Sequence, residues 1–350
     1  MMRIGRDVKL RSPLRDQLDA SGPCGADALG VLSAAADASL DGVLFRTLYE
    51  LSPTLDQALL ADLAAHATDL GLYLEVGVGK VNPYMTAELP EIRDLGNGSY
   101  LAGMQRMIAA AAAMGCTQLW TATAFQKPQY AGVFALDRFR TDVEWSEQLR
   151  AIGQFLRALA PALREYGCHL NLETHEEITS VELLRLIELV GPDVLGVTFD
   201  SANLLANGEH PLSAARRLAP YVGQTHLRDV ALFRDGDDLV RYLAPCGEGV
   251  LDWAALLDVL TKANPRLNVS IEGAGSHRGR LRMPISDARW HTGHPDLDAD
   301  EFAEVCALAD RYAERDDGFG AEVFAAGAED VLGDVDQFVL TSAAHLRAVF

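Results

Sequence analysis

Apolar residues along the chain follow two alternating rhythms. Runs with apolar positions three and four apart predict helices over 26–39, 56–70, 100–114, 143–166, 180–189, 211–219, 253–263 and 298–315. Between them, short apolar or alternating runs predict strands over 42–47, 72–78, 117–123, 169–175, 194–200, 222–228 and 267–272. An eighth strand is expected in 2–8. Strand and helix in strict succession call for a parallel sheet, because parallel neighbours need a crossover between them.

The later strands show which parallel sheet. Strands of an open sheet covered by helices on both faces are apolar on both sides. Here Leu170 and Leu172 share one face while His169, Asn171, Glu173 and His175 share the other. Leu195, Val197 and Phe199 oppose Gly196, Thr198 and Asp200, and Leu267, Val269 and Ile271 oppose Asn268, Ser270 and Glu272. Gln224, His226 and Arg228 also share a face. An apolar outer face and a polar inner one fit a barrel whose polar lumen opens at the C-terminal ends of the strands. The expected fold is therefore α/β, a (β/α)8 TIM barrel with a C-terminal extension. Residues 1–315 form one barrel domain, with a long loop 273–296 after the last strand, and 316–350 add a helical extension.

Four ionisable residues end four successive strands: Glu173, Asp200, His226 and Glu272. In a barrel these ends surround one cavity. Three carboxylates crowded there repel one another, and a divalent cation removes the conflict. Three carboxylates and one imidazole form a hard, oxygen-rich set, with Mn²⁺ the leading expectation and Mg²⁺, Co²⁺ or Zn²⁺ as alternatives.

Composition narrows the classes. The 30 basic and 50 acidic residues give a net charge of −20, which opposes a nucleic-acid surface. The first 13 residues are charged and lack an apolar leader, and no stretch of about 18 apolar residues occurs. Five scattered cysteines form no CxxC pair, as expected of reduced cytoplasmic thiols. A soluble cytoplasmic enzyme with a small ligand is the expectation, without a nucleic-acid or membrane partner.

Five segments in order resemble the xylose isomerase-like TIM-barrel family of sugar (phosphate) isomerases and epimerases: 171–175 (NLETH), 196–200 (GVTFD), 225–229 (THLRD), 247–253 (GEGVLDW) and 270–272 (SIE). The resemblance implies that Glu173, Asp200, His226 and Glu272 hold the metal. It also implies that Glu173 and Glu272 form an acid/base pair that moves a proton beside a carbonyl through a metal-stabilised enediolate. The implied partner is a carbohydrate, with a homo-oligomer or a small accessory subunit as further expectations. The chain departs from ketose epimerases of the family at Asn203, where they carry histidine, at Thr179, where they carry glutamate, and at Leu232, where they carry arginine.

His175 lies two residues after Glu173 and offers a second base. With it, a metal-dependent lyase becomes an alternative, a β-elimination on a keto-sugar like that of the family's dehydroshikimate dehydratases or 3-keto-glycoside deglycosidases. Lys80, Asn82, Asn203, Arg228 and Arg278 are the candidate substrate contacts. Glu75 and Arg46 are in phase to face the lumen. The basic residues of the 273–296 loop, Arg278, Arg280 and Arg282, suggest a lid. Trp120 and Trp253 read as packing residues, and Asp252 as a helix N-cap.

Overall fold

The computed structural model describes residues 2–10, 28–85, 89–123, 132–274, 279–315 and 334–350. Its strands are β1 (Arg3–Val8), β2 (Gly42–Phe45), β3 (Tyr73–Gly77), β4 (Gln118–Thr121), β5 (His169–Glu173), β6 (Leu195–Asp200), β7 (Val222–His226), β8 (Asp229–Asp235), β9 (Asp238–Ala244), β10 (Asn268–Ile271) and β11 (Leu281–Met283). Its helices are α1 (Ala28–Asp37), α2 (Leu48–Leu51), α3 (Gln57–Asp69), α4 (Pro90–Leu95), α5 (Tyr100–Ala113), α6 (Trp145–Glu165), α7 (Ser180–Val190), α8 (Pro211–Leu218), α9 (Trp253–Ala263), α10 (Ala288–Gly293), α11 (Ala299–Arg315) and α12 (Val335–Val349).

Eight parallel strands run in the order β10-β1-β2-β3-β4-β5-β6-β7. A parallel bridge between Leu227 and Ile271 joins the two edges, so the sheet closes into the expected TIM barrel. The eighth strand does lie at the start of the chain, where Arg3 to Arg6 align with Asn268 to Ile271.

Local signals set the helix starts. Asp56 caps α3 and Ser99 caps α5 through their side-chain oxygens. Thr179 and Glu182 form a reciprocal capping box at α7. Asp252 caps α9 as expected, accepting from Ala255 N at 3.1 Å.

The outward faces of the strands bury Val43, Leu119, Leu170, Leu172, Val197 and Val269 against the helices. The inward faces carry amides. Asn171 donates to Gln118 at 2.9 Å, Gln224 donates to Glu75 at 3.3 Å, and Asn268 donates to Glu75 at 2.8 Å. Gly223 leaves room for this layer, since a Cβ there would lie 2.4 Å from Asn171 Oδ1. Glu75 thus faces the lumen, and burial pushes its carboxyl up to about 7.

Two features differ from the pattern expected of a plain barrel. An antiparallel hairpin, β8–β9, follows β7 directly. The 273–296 stretch is not one open loop, because β11 pairs with β9 and α10 buries Trp290 in a second apolar cluster. Arg280 donates to the Tyr242 hydroxyl at 3.1 Å and Arg282 pairs with Asp238 at 3.1 Å, so both are tied to the hairpin instead of forming a free lid. His277 and Arg278 lie outside the described residues. In the C-terminal part, α12 buries Phe338, Val339, Ala343 and Leu346 in the main apolar core. No helix among the described residues is long and apolar enough to cross a membrane.

Candidate metal centre

Parallel pairing brings the strand ends level. β6 and β7 set Asp200 beside His226, and β5 lies on the other side of β6. Glu272 follows β10 immediately. One ligand atom from each of Glu173, Asp200, His226 and Glu272 lies within 4.8 Å of the others, and all four residues are buried. His226 Nδ1 is 3.4 Å from Glu173 Oε1 and 3.9 Å from Glu272 Oε2. Its other ring nitrogen faces Asp7 at 3.7 Å. A carboxylate behind a ligand imidazole fixes its ring orientation and raises its basicity.

The other half of the barrel holds these groups in place. Arg46 Nε donates to Asp7 at 2.6 Å, and its Nη2 reaches Glu272 Oε1 at 2.5 Å. Trp120 Nε1 donates to Glu173 Oε2 at 2.8 Å. Both Arg46 and Lys80 stand over the Trp120 ring, at 4.8 and 4.6 Å from its centroid. Arg228 pairs with Asp200 and lies 3.2 Å from Glu272 Oε2. Asn203 donates to Asp200 Oδ2 at 3.0 Å.

The electrostatics fit a divalent cation. Asp7, Glu173, Asp200 and Glu272 put four carboxylates against the two guanidiniums of Arg46 and Arg228. Burial first, then the charges of Glu272 and Glu173, push the Asp200 carboxyl up to about 6 against the pull of Arg228. Burial also opposes ionisation of Glu173 and Glu272, but their cationic neighbours outweigh it and hold both well below the usual carboxylate range. Neither ring nitrogen of His226 has a hydrogen-bond partner, and nor does Glu272 Oε2, although all three atoms are sealed from solvent. Buried polar atoms left without partners are costly, and coordination of a cation would satisfy them.

The remaining sequence candidates separate. His175 Nδ1 hydrogen-bonds Glu177, whose carboxylate also accepts from Thr123. Lys80 is buried beside Glu173 and Glu177, and burial lowers its ammonium to about 8. Arg228 and Asn203 sit in the cluster itself. Asn82 is turned elsewhere, donating to Gln148 at 2.8 Å and accepting from Tyr84 N at 3.0 Å. Trp253 packs and donates to Asp229 at 2.7 Å, but Trp120 is no plain packing residue. Neither Asp7 nor Trp120 has a distinctive spacing. The one signal for both is phase, since each lies on the inward face near the end of its strand.

Comparison with known proteins agrees with this geometry. A family model described as "Xylose isomerase-like TIM barrel" matches residues 32–294. An uncharacterized Escherichia coli protein, YihM, is 30% identical over 94 residues, 27% of this chain and 29% of its own. The 3-oxo-isoapionate decarboxylase of Pectobacterium atrosepticum is 27% identical over 119 residues, 33% of this chain and 43% of its own. Inosose dehydratase 1 of Bacillus cereus is 26% identical over 93 residues, 26% of this chain and 30% of its own. The matches therefore span less than half of each relative's length. Among solved structures, the Escherichia coli 3-keto-D-glucoside 4-epimerase YcjR aligns over 88% of this chain and 100% of its own, with a TM-score of 0.54 and 16% identity. A D-psicose 3-epimerase aligns over 83% and 93%, with a TM-score of 0.55 and 16% identity. The family model covers most of the barrel and all four candidate ligands, and the chain belongs to the xylose isomerase-like TIM-barrel family.

Proposed function

We propose that this chain is a divalent-metal-dependent isomerase or epimerase that moves a proton at the carbon beside a carbonyl of a sugar or sugar derivative. The observation that carries the reading is the buried cluster of Glu173, Asp200, His226 and Glu272 with its unpartnered ligand atoms. Such a cation would polarise the carbonyl oxygen and make the neighbouring C–H more acidic. Glu173 and Glu272, on either side of His226 Nδ1, are the proposed pair that removes and returns the proton. Trp120 and Arg46 fix one oxygen of each and leave the other toward the cluster. Lys80, Asn203 and Arg228 are the proposed contacts to substrate oxygens. The four-residue ligand set excludes none of Mn²⁺, Mg²⁺, Co²⁺ and Zn²⁺, and three carboxylates with one imidazole favour Mn²⁺.

A second reading, a lyase, rests on the His175–Glu177 pair. Glu177 is fully buried and orients the His175 ring through Nδ1, which leaves Nε2 outside the pair for proton transfer. Relatives named as a dehydratase and a decarboxylase support it.

One experiment tests both. Protein purified without chelator is assayed for metal, then incubated with ketoses and keto-sugars in D2O and read by mass spectrometry. Isomerisation or epimerisation gives an isomer of the substrate made one mass unit heavier by deuterium at the reacting carbon. Elimination gives a product lighter by one water, and His175→Ala abolishes that product alone. A folded wild-type chain that neither contains nor takes up a divalent metal overturns both readings.

A further inference from the structure

Asn203 stands between two arginines. Its Oδ1 accepts from Arg228 Nη2 at 3.2 Å and from Arg241 Nη1 at 3.3 Å. Arg241 comes from the β8–β9 hairpin. It is almost fully buried, pairs with Glu176 and donates to Ala202 O at 2.7 Å. Two guanidiniums therefore converge on one neutral amide at the edge of the metal cluster. Each also keeps a buried N–H, at Nε, without a hydrogen-bond partner. A buried, unmet donor on a cation costs more than one on a neutral group.

We infer that the substrate is a keto-sugar acid whose carboxylate is held by Arg228 and Arg241 beside Asn203. This rests on the metal-dependent carbohydrate reading and narrows it. A planar carboxylate matches the fork of a guanidinium, which a hydroxymethyl group does not. Arg241 belongs to the hairpin and not to the barrel, so the inserted hairpin is what sets this preference.

The test uses two probes, 5-keto-D-gluconate and L-sorbose, which differ only in whether one terminal carbon is a carboxylate or a hydroxymethyl group. Mn²⁺ uptake by the full-length chain is measured first, then binding of each probe by calorimetry to wild type and to Arg241→Gln. The expected result is at least tenfold tighter binding of the acid to wild type, falling below threefold in Arg241→Gln. Equal or tighter binding of L-sorbose to wild type overturns the inference, as does an undiminished gap in a folded Arg241→Gln. If that variant fails to fold, the wild-type comparison still decides. Mn²⁺ uptake with neither probe bound overturns this inference and leaves the metal site standing. Failure to take up Mn²⁺ overturns the metal reading and this inference with it.

Discussion

The two halves of the barrel contribute different things to one site. Strands β5, β6, β7 and β10 lead into the four candidate ligands, Glu173, Asp200, His226 and Glu272. Strands β1, β2 and β4 supply Asp7, Arg46 and Trp120, which hold those ligands and none of which belongs to the ligand set. A ligand-bearing half alone would set its buried carboxylates against the guanidinium of Arg228 without that of Arg46. Arg46, from the other half, adds the second guanidinium that allows them to be charged and buried together.

Removing ligands should give the largest effect and should fall on function. Glu173→Gln with Glu272→Gln is expected to abolish metal retention and to lower turnover by about 10²–10⁴-fold, as seen for lost acid/base groups. Metal analysis beside a melting curve checks it, and a double variant that keeps its metal would break the division of labour.

Removing a holder should instead fall on stability. Arg46→Met leaves Asp7 and Glu272 without their cation, at a cost of about 3–5 kcal/mol by the pattern for broken buried pairs. Denaturant unfolding measures this, and a loss under 1 kcal/mol would show that the halves are not coupled through Arg46.

Glu75, beneath the site, gives the comparison a pH signature. Its folded value of about 7 lies above the ordinary 4.5, so the folded state holds the proton more tightly than the unfolded chain does. Its contribution to stability is therefore full below about pH 4.5 and is lost as pH rises toward 7, by up to roughly 3 kcal/mol. Unfolding free energies at pH 5 and 8 should differ less in Glu75→Gln than in wild type, and an equal difference would exclude Glu75 as the source.

Smaller effects follow. Trp120→Phe keeps the ring under Arg46 and Lys80 but loses the N–H to Glu173. About 1–2 kcal/mol of stability and about tenfold in metal affinity are expected to go. A titration that finds unchanged metal affinity would make Trp120 packing alone. Arg282→Ala, which takes a half-exposed guanidinium from the buried Asp238 carboxylate, should change stability by less than about 1 kcal/mol and leave KM unmoved.

Much of this was legible in the sequence, but unevenly. Period-two alternation in the later strands exposes Glu173, Asp200, His226 and Glu272, because each ends a small or polar face that opposes an apolar one. The strand at the start of the chain carries Arg3 and Arg6 beside Asp7, so Asp7 looks like one more surface acid until Arg3–Arg6 is seen paired with β10. Trp120 follows Leu119 in β4, and hydrophobicity alone does not tell which of the two faces inward. The hairpin escapes the reading because Leu232, Val240 and Leu243 resemble a stretch of βα loop until they pair. Arg241, buried deep in it, carries no motif. Asn82 fails as a substrate contact for a similar reason, since only the fold reveals Gln148 as its partner.

Closure of the barrel has a consequence in time. Arg3 pairs with Asn268, so β1 must wait on the ribosome for β10, the last of the eight barrel strands to be made. At about 5–20 residues per second, that interval is on the order of ten seconds to a minute. Throughout it Asp7 has no Glu272 beside Arg46, and the metal cluster lacks a ligand. The centre is thus a late product of folding, and a cation captured there would report that the first and last staves have met.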